Sequence, residues 1–172
     1  MATTMKLIAK NVLGSDTATV TFSSIPGTYT DLYIVISARS SSGDLTVGQA
    51  DFLYMNLNST NQSSHRYLYG TGSGTGSATS PTRGLGFLTD PACTSNTFAS
   101  IEIYIPNYAG TTAKSVSAIS MTENNATAAT MAAHAALFSS VTSAVTSIDF
   151  TTEDAASFKS GSSFFLYGIS KA

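Results

Sequence analysis

Hydrophobic and polar positions alternate with a period of two along most of this chain, the pattern of strands that bury one face. In "TATVTF" (17–22), Ala18, Val20 and Phe22 point one way and Thr17, Thr19 and Thr21 the other. Around 101–105, Ile101, Ile103 and Ile105 share one face while Ser100, Glu102 and Tyr104 share its opposite. The segment "DLYIVISARS" (31–40) differs, because Leu32, Ile34, Ile36 and Ala38 line one face and Tyr33 and Val35 keep the second face apolar as well. A strand of that kind lies centrally in a sheet, or a neighbouring subunit covers its second face. Further strands are predicted at 51–57, 65–70, 114–121, 145–151 and 162–170, with "MKLIAK" (5–10) pairing at an edge. Many short strands broken by Gly, Pro and Asn predict an all-β fold, an antiparallel β-sandwich or jelly roll. A length of 172 residues fits a single domain over 1–172 with one core.

Two segments read less directly. "ATAATMAAHAALF" (126–138) is alanine-rich, and propensity alone favours a helix. Its alternation, with Met131, Ala133, Ala135 and Leu137 opposite Ala132, His134, Ala136 and Phe138, predicts a strand instead. "GTGSGTGSATSPTRG" (70–84) has the composition of a flexible Gly/Ser/Thr loop, either a solvent-exposed tip or an arm ordered by a neighbour. Residues 1–10 are expected to form an N-terminal arm or the edge strand.

Composition narrows what such a fold is for. Only 10% of residues are charged against a 42% hydrophobic fraction, so the surface is built largely from Ser, Thr, Asn, Gly and Ala. Short side chains lose little rotamer entropy when a partner covers them, which suits dense packing in an assembly. The formal charge is −2, and the lysines and arginines are scattered, so counterion release has no footprint and no nucleic-acid partner is expected. "MATTMKLIAKNVLG" lacks the apolar run of a signal peptide, and no stretch reaches the ~18 apolar residues of a bilayer span, so no membrane association is expected.

The chemistry-bearing residues are few. His65 and His134 sit on separate predicted strands without Ser–His–Asp spacing, and a lone His on an alternating strand ordinarily serves as a hydrogen-bonded core residue or a surface one. No C-x-x-C or H-x-x-x-H pair supports a metal site, and "GTGSGTG" lacks the Lys-Ser/Thr of a phosphate loop. Glu153 and Asp154 are adjacent and read as a turn in which Asp154 takes part, although a calcium site of loop oxygens needs no fixed motif. Cys93, the single cysteine, reads as a small buried apolar residue or, alternatively, as half of an intersubunit bridge. No catalytic residues, metal or cofactor are therefore expected. Tyr29, Tyr67 and Tyr108 at loop ends could stack against a sugar, against the ordinary role of tyrosine at the rim of a core.

"FSSIPGTYTDLYIVISARS" (22–40), "YIPNYAGTTAKSVS" (104–117), "TENNAT" (122–127) and "SSFFLYGISKA" (162–172) together resemble a family of small virion structural proteins of tailed bacteriophages, especially those of cyanobacteria and other aquatic bacteria. The resemblance covers nearly the whole chain. It departs at 55–70, where relatives often carry "F-N-G-D-x-G-x-N-Y" and this chain reads "MNLNSTNQSSHRYLYG". What it implies is a jelly-roll β-sandwich, a homotrimer, and a place in the virion on the outer capsid surface. The leading expectation is a capsid decoration (cement) protein bridging copies of the major capsid protein, and the alternative is a head-fibre or tail-fibre domain binding a host surface glycan. Absence of collagen-like repeats or heptads that would build a stalk favours the first. Tyr33 and Val35, on the second face of their strand, are the expected subunit or capsid contacts. So are Tyr104, Asn107 and Tyr108, in and beside a loop that Pro106 opens and in which Gly110 is expected to take a positive φ.

Overall fold

A computed structural model describes residues 4–42, 51–80, 84–125 and 128–170. The N-terminal arm and the 70–84 loop expected from sequence extend partly outside these residues, as do the ends of "TENNAT" and "SSFFLYGISKA", and the side chain of Asp154 lies outside as well.

The predicted period-two segments become strands, joined by two that the pattern does not mark, the sixth and the seventh: β1 (Met5–Val12), β2 (Thr19–Phe22), β3 (Asp31–Ala38), β4 (Asp51–Leu57), β5 (Ser64–Gly70), β6 (Thr75–Ser80), β7 (Gly84–Leu88), β8 (Ala99–Ile105), β9 (Lys114–Asn124), β10 (Ala128–Phe138), β11 (Ile148–Thr152) and β12 (Ser163–Ile169). They form an eight-stranded sheet in the order β1-β12-β3-β8-β9-β10-β5-β6 and a four-stranded sheet in the order β2-β11-β4-β7. Every strand pairing is antiparallel, and the sheets pack as a sandwich. The alanine-rich segment is strand β10, held on one side by β9 and on the other by β5. Two long ladders outweigh alanine's helix propensity, and small side chains let the sheets approach closely. The expectation of a loop over 70–84 is corrected in part: after a turn at 71–74, Thr75–Ser80 pairs with β5 as the sheet's edge strand, because backbone pairing tolerates the small residues that composition reads as loop.

The core lies where the small sheet covers the large one. Leu32, Ile34 and Ile36 of β3, Ile101, Ile103 and Ile105 of β8, and Phe164 and Leu166 of β12 meet Leu53, Met55 and Leu57 of β4 and Ile148 and Phe150 of β11. All are essentially buried. β3 is central as expected, third in a sheet of eight, with Tyr33 and Val35 half-buried on its outer face.

Halfway along β9 the polarity of the large sheet inverts. Val116 and Ala118 still face inward, but further along Ser120 and Thr122 are the buried residues while Ile119 and Met121 stand on the outer face. β10 continues the inversion, with His134 and Ala136 inside and Met131 and Leu137 outside, and β5 turns His65 inward and Leu68 outward.

Candidate functional site

Three places in this fold gather side chains with chemical capacity. The first is the outer face of β3 and β8, where the cross-strand pair Tyr33 and Tyr104 sits beside two carboxylates. The Tyr33 hydroxyl donates to Glu102, and the Tyr104 hydroxyl donates to Asp31 Oδ2 at 2.8 Å. Asp31 Oδ1 also accepts the Asn107 backbone N–H at 2.8 Å, so one carboxylate ties strand to loop. Burial pushes the Tyr33 phenol up to about 12, with the bond to Glu102 adding to it. Hydrogen bonding to Asp31 raises Tyr104. Both phenols are therefore neutral donors at any physiological pH. The structure thus brings Tyr33, Val35, Tyr104 and Asn107 onto one face, Val35 pairing across the strands with Glu102.

Tyr108 does not join them. It is fully buried, its hydroxyl donating to the Pro26 carbonyl and accepting from the Tyr29 N–H at 3.3 Å, and its own carbonyl accepting from Val145 at 3.0 Å. The expectation that it contacts a partner is corrected: its ring plugs the core end of the loop, as burial of an aromatic with a satisfied hydroxyl favours. The positive φ expected at Gly110 falls instead on Asn107, at 47°. Gly110 gives room to the Asn107 amide, since a Cβ there would lie 2.5 Å from Asn107 Nδ2 and that exposed side chain would have to move aside. Lys114 completes the loop from inside, its buried ammonium donating to the Gly110 carbonyl at 2.7 Å and to that of Thr112 at 2.5 Å. Desolvation lowers its pKa.

The second place is a buried histidine pair. Strands β5 and β10 pair antiparallel with Tyr67 opposite His134, which sets His65 and His134 diagonally side by side. Their rings stack at 5.4 Å, 9° from parallel, and His65 Nε2 lies 3.2 Å from His134 Nδ1. His134 Nε2 meets Ser120 Oγ at 3.1 Å, Tyr67 stacks on both imidazoles, and Phe87 of β7 meets His134 edge-on. A nitrogen-to-nitrogen hydrogen bond needs one ring as donor and the other as acceptor, so the two rings cannot both be protonated. Desolvation by burial lowers His65 to about 4 and His134 to about 3, with Arg66 adding for the first and the neighbouring imidazole for the second. The serine–histidine–histidine chain has the atoms of a proton relay, but Ser120 is fully buried and presents no nucleophile at the surface.

The third is Arg39, one of the cations that the sequence scatters without pattern. It is buried just beyond β3, and its guanidinium donates to the backbone carbonyls of Asp90 at 2.5 Å, Thr94 at 2.9 Å and Thr97 at 3.0 Å. Glu123 of β9 holds the same loop from the other side, accepting from the Thr94 N–H at 2.7 Å, from its hydroxyl at 2.9 Å and from the Thr97 hydroxyl at 2.8 Å. Cys93 lies in this loop as a partly buried thiol whose pKa burial raises.

Among the tyrosines considered for sugar stacking, Tyr29 packs against the core and Tyr67 is occupied by the imidazoles and by Phe52 and Phe87. Glu153 opens a short 3₁₀ turn and accepts from the Tyr54 hydroxyl at 2.9 Å. Among the described residues no cluster of three or more His, Cys, Asp or Glu is placed to hold a metal ion, and no helix is long and apolar enough to cross a membrane. The chain matches no family model, no curated protein and no solved structure.

Proposed function

We propose that the protein is a structural component of a bacteriophage virion, a decoration protein on the outer capsid surface that bridges neighbouring copies of the major capsid protein. It is assembled in the bacterial host and works by buried area rather than by reaction. The observation that carries this reading is the outer face of the large sheet: a broad surface on which tyrosines bonded to carboxylates adjoin small and apolar side chains, backed by a packed sandwich. Such a surface is covered by a partner with little loss of rotamer entropy, and many weak contacts repeated over a lattice add up.

Strand order lends support. With β5, β6, β9 and β10 set aside, β1-β12-β3-β8 faces β2-β11-β4-β7, and the chain crosses between sheets at every step except β4 to β7. That alternation supports the jelly-roll connectivity implied by the family resemblance, with β5–β6 and β9–β10 as two additions that widen one sheet.

The test is antibody-labelled electron microscopy of intact particles. Label spread evenly over the head is the expected result. Label confined to the tail or its fibres overturns the decoration role and makes host-glycan recognition the leading function, with the exposed Tyr104 and its Asp31 partner as first targets for mutation.

A further inference from the structure

We propose that β6 is the acceptor edge for an extended segment of another protein, which adds to the eight-stranded sheet as one further strand and sets an acidic side chain against Arg66. Such a site takes its affinity from main-chain hydrogen bonds and its specificity from alternate side chains. It is separate from the broad outer face and stands wherever the protein resides.

Sheet edges are ordinarily guarded, and the other edges of this sandwich are. β1 carries Lys6 and Lys10, and its ladder shifts register between Leu7 and Ala9. β2 is only four residues long, and β7 is buried from end to end. In contrast, β6 reads "TGSATS", without a charge, a proline or a register shift against β5. Among the described residues it has one strand neighbour.

Pairing around the preceding turn decides which of its backbone groups face outward. The Thr71 N–H donates to the Gly74 carbonyl at 2.9 Å, so those two form a hydrogen-bonded pair and the pairs alternate from there. Gly76 and Ala78 therefore turn their backbone groups to β5. Thr75, Ser77 and Thr79 each turn an N–H and a carbonyl to the open side, with their side chains exposed on the outer face.

The surroundings select the partner. Arg66 is level with Thr79 and Leu68 with Ser77, and both are exposed, Leu68 by 64%. A concavity of about 520 Å³ opens over these four residues, Ala133 and Ala135. Arg66 Nη1 donates to the His65 carbonyl at 2.8 Å, and that carbonyl faces β6 in the same alternation, so the guanidinium leans toward the edge. β5, β6 and β10 contain no Asp or Glu, which leaves its charge unanswered within them. A strand beside β6 lies about 10 Å from β5, two steps of about 4.8 Å, and a glutamate opposite the small Thr79 meets Arg66 across it. An apolar side chain two positions along stands over Ser77, toward Leu68. On the inner face the Tyr69 ring lies across Gly76, where a Cβ would sit 2.6 Å from its hydroxyl, and gives the added strand a wall to pack on. Charge also argues against a second copy as the donor: β1, the opposite edge of this sheet, would bring lysines to an arginine, and β6 itself carries no acid.

Amide hydrogen exchange of the full chain, followed by NMR, tests the inference. The probe is a short end-capped peptide of threonine alternating with glutamate, leucine and valine in that order. Antiparallel to β6, it sets glutamate opposite Thr79 and leucine opposite Ser77. In the chain alone the Thr75, Ser77 and Thr79 amides are expected to exchange fast while that of Ala78 is protected. Peptide from about 10 µM to about 5 mM is expected to slow those three, with a Kd of about 1 mM or below. Ser77→Pro removes an outward N–H and nothing from the β5 ladder, and is expected to abolish binding with an unchanged far-UV spectrum. Arg66→Glu is expected to weaken binding about 10-fold and to restore it for a peptide with lysine in place of glutamate. Should the proline variant misfold, this exchange of charge carries the test. Protection of the three amides without peptide, or protection that rises with the concentration of the chain itself, overturns the proposal. So do absence of binding at the highest peptide concentration, undiminished binding by a folded Ser77→Pro, equal binding of the lysine peptide by the unaltered chain, and indifference to Arg66→Glu.

Discussion

Beneath β3, β8 and β12 the large sheet turns isoleucine, leucine and phenylalanine toward β4 and β11; along β9, β10 and β5 it turns alanine, serine, threonine and histidine toward the Phe87 side of β7. Outward, the contrast reverses. The first region shows a tyrosine–carboxylate lattice, and the second shows Ile119, Met121, Met131 and Leu68. The two halves of one continuous sheet are therefore stabilised by different physics. Apolar burial holds the covered half, whereas the extension relies on long backbone ladders, close approach of small side chains and a satisfied polar cluster. Val116 and Phe138 still reach the core, but Ile119, Met121, Met131 and Leu68 stand on the outside, where they do little for an isolated copy.

The largest effect should come from deleting volume where that division puts the core. Phe164 packs against both Phe150 and Phe158, and Phe164→Ala should cost about 4 kcal/mol, read from the urea midpoint at unchanged slope. A loss below about 1 kcal/mol would mean that the covered half is not where the stability resides.

The tie between the halves comes next. Arg39 beside β3 and Glu123 on β9 clasp the same loop, and Arg39→Ala leaves several buried carbonyls without their charged donor. It should cost about 3 kcal/mol, and Glu123→Gln distinctly less, because an amide retains part of the acceptor set. Hydrogen exchange should show faster opening of 90–97 in the arginine variant; equal protection in both proteins would separate that loop from the tie.

Acid should strike the extension first. Both imidazoles bind protons more weakly folded than unfolded, at about 4 and about 3 against an ordinary 6.5. Below pH 6.5 the unfolded chain therefore takes up protons first, and stability falls progressively toward the folded values. On the order of 2 kcal/mol should be gone by about pH 5.5. The double variant His65→Phe, His134→Phe should flatten that slope in a series of thermal melts, and a slope that persists would assign the acid sensitivity to other groups.

Much of this was legible from alternation, and what was not has a physical reason. β4 is read from sequence to the residue, and even the alanine-rich β10 follows from period two. β6 escapes notice because Gly, Ser and Thr carry no alternation that a pattern can register, and β7 because GLGFL is a five-residue run buried on both faces, with no polar face to mark it. The histidine pair is invisible in sequence since pairing between β5 and β10 joins residues 69 apart, and nothing in either segment names its partner. Tyr108 misleads in the opposite direction: a tyrosine in a polar loop reads as exposed until Pro26 and Tyr29 are found to satisfy its hydroxyl. The inversion along β9 is present in "KSVSAISMTEN" as Ile119 and Met121 out of phase with Val116, but only the fold says which phase is inside.

The smallest predicted effect is the one that bears most directly on that inversion. Ile119→Thr and Met131→Thr exchange large apolar side chains for a β-branched polar one on an exposed strand face, where threonine's strand preference is favourable. Measured at about 1 µM, each should change unfolding stability by no more than about 0.5 kcal/mol. In the covered half, removing comparable volume from Ile103 should cost several-fold more, about 3 kcal/mol for Ile103→Ala. Should Ile119→Thr and Met131→Thr instead cost as much as Ile103→Ala, those side chains would belong to the intrachain core and the outer face would have no apolar surface to offer a partner. Near-zero cost leaves them stability-neutral in the single copy, free to be covered only from outside.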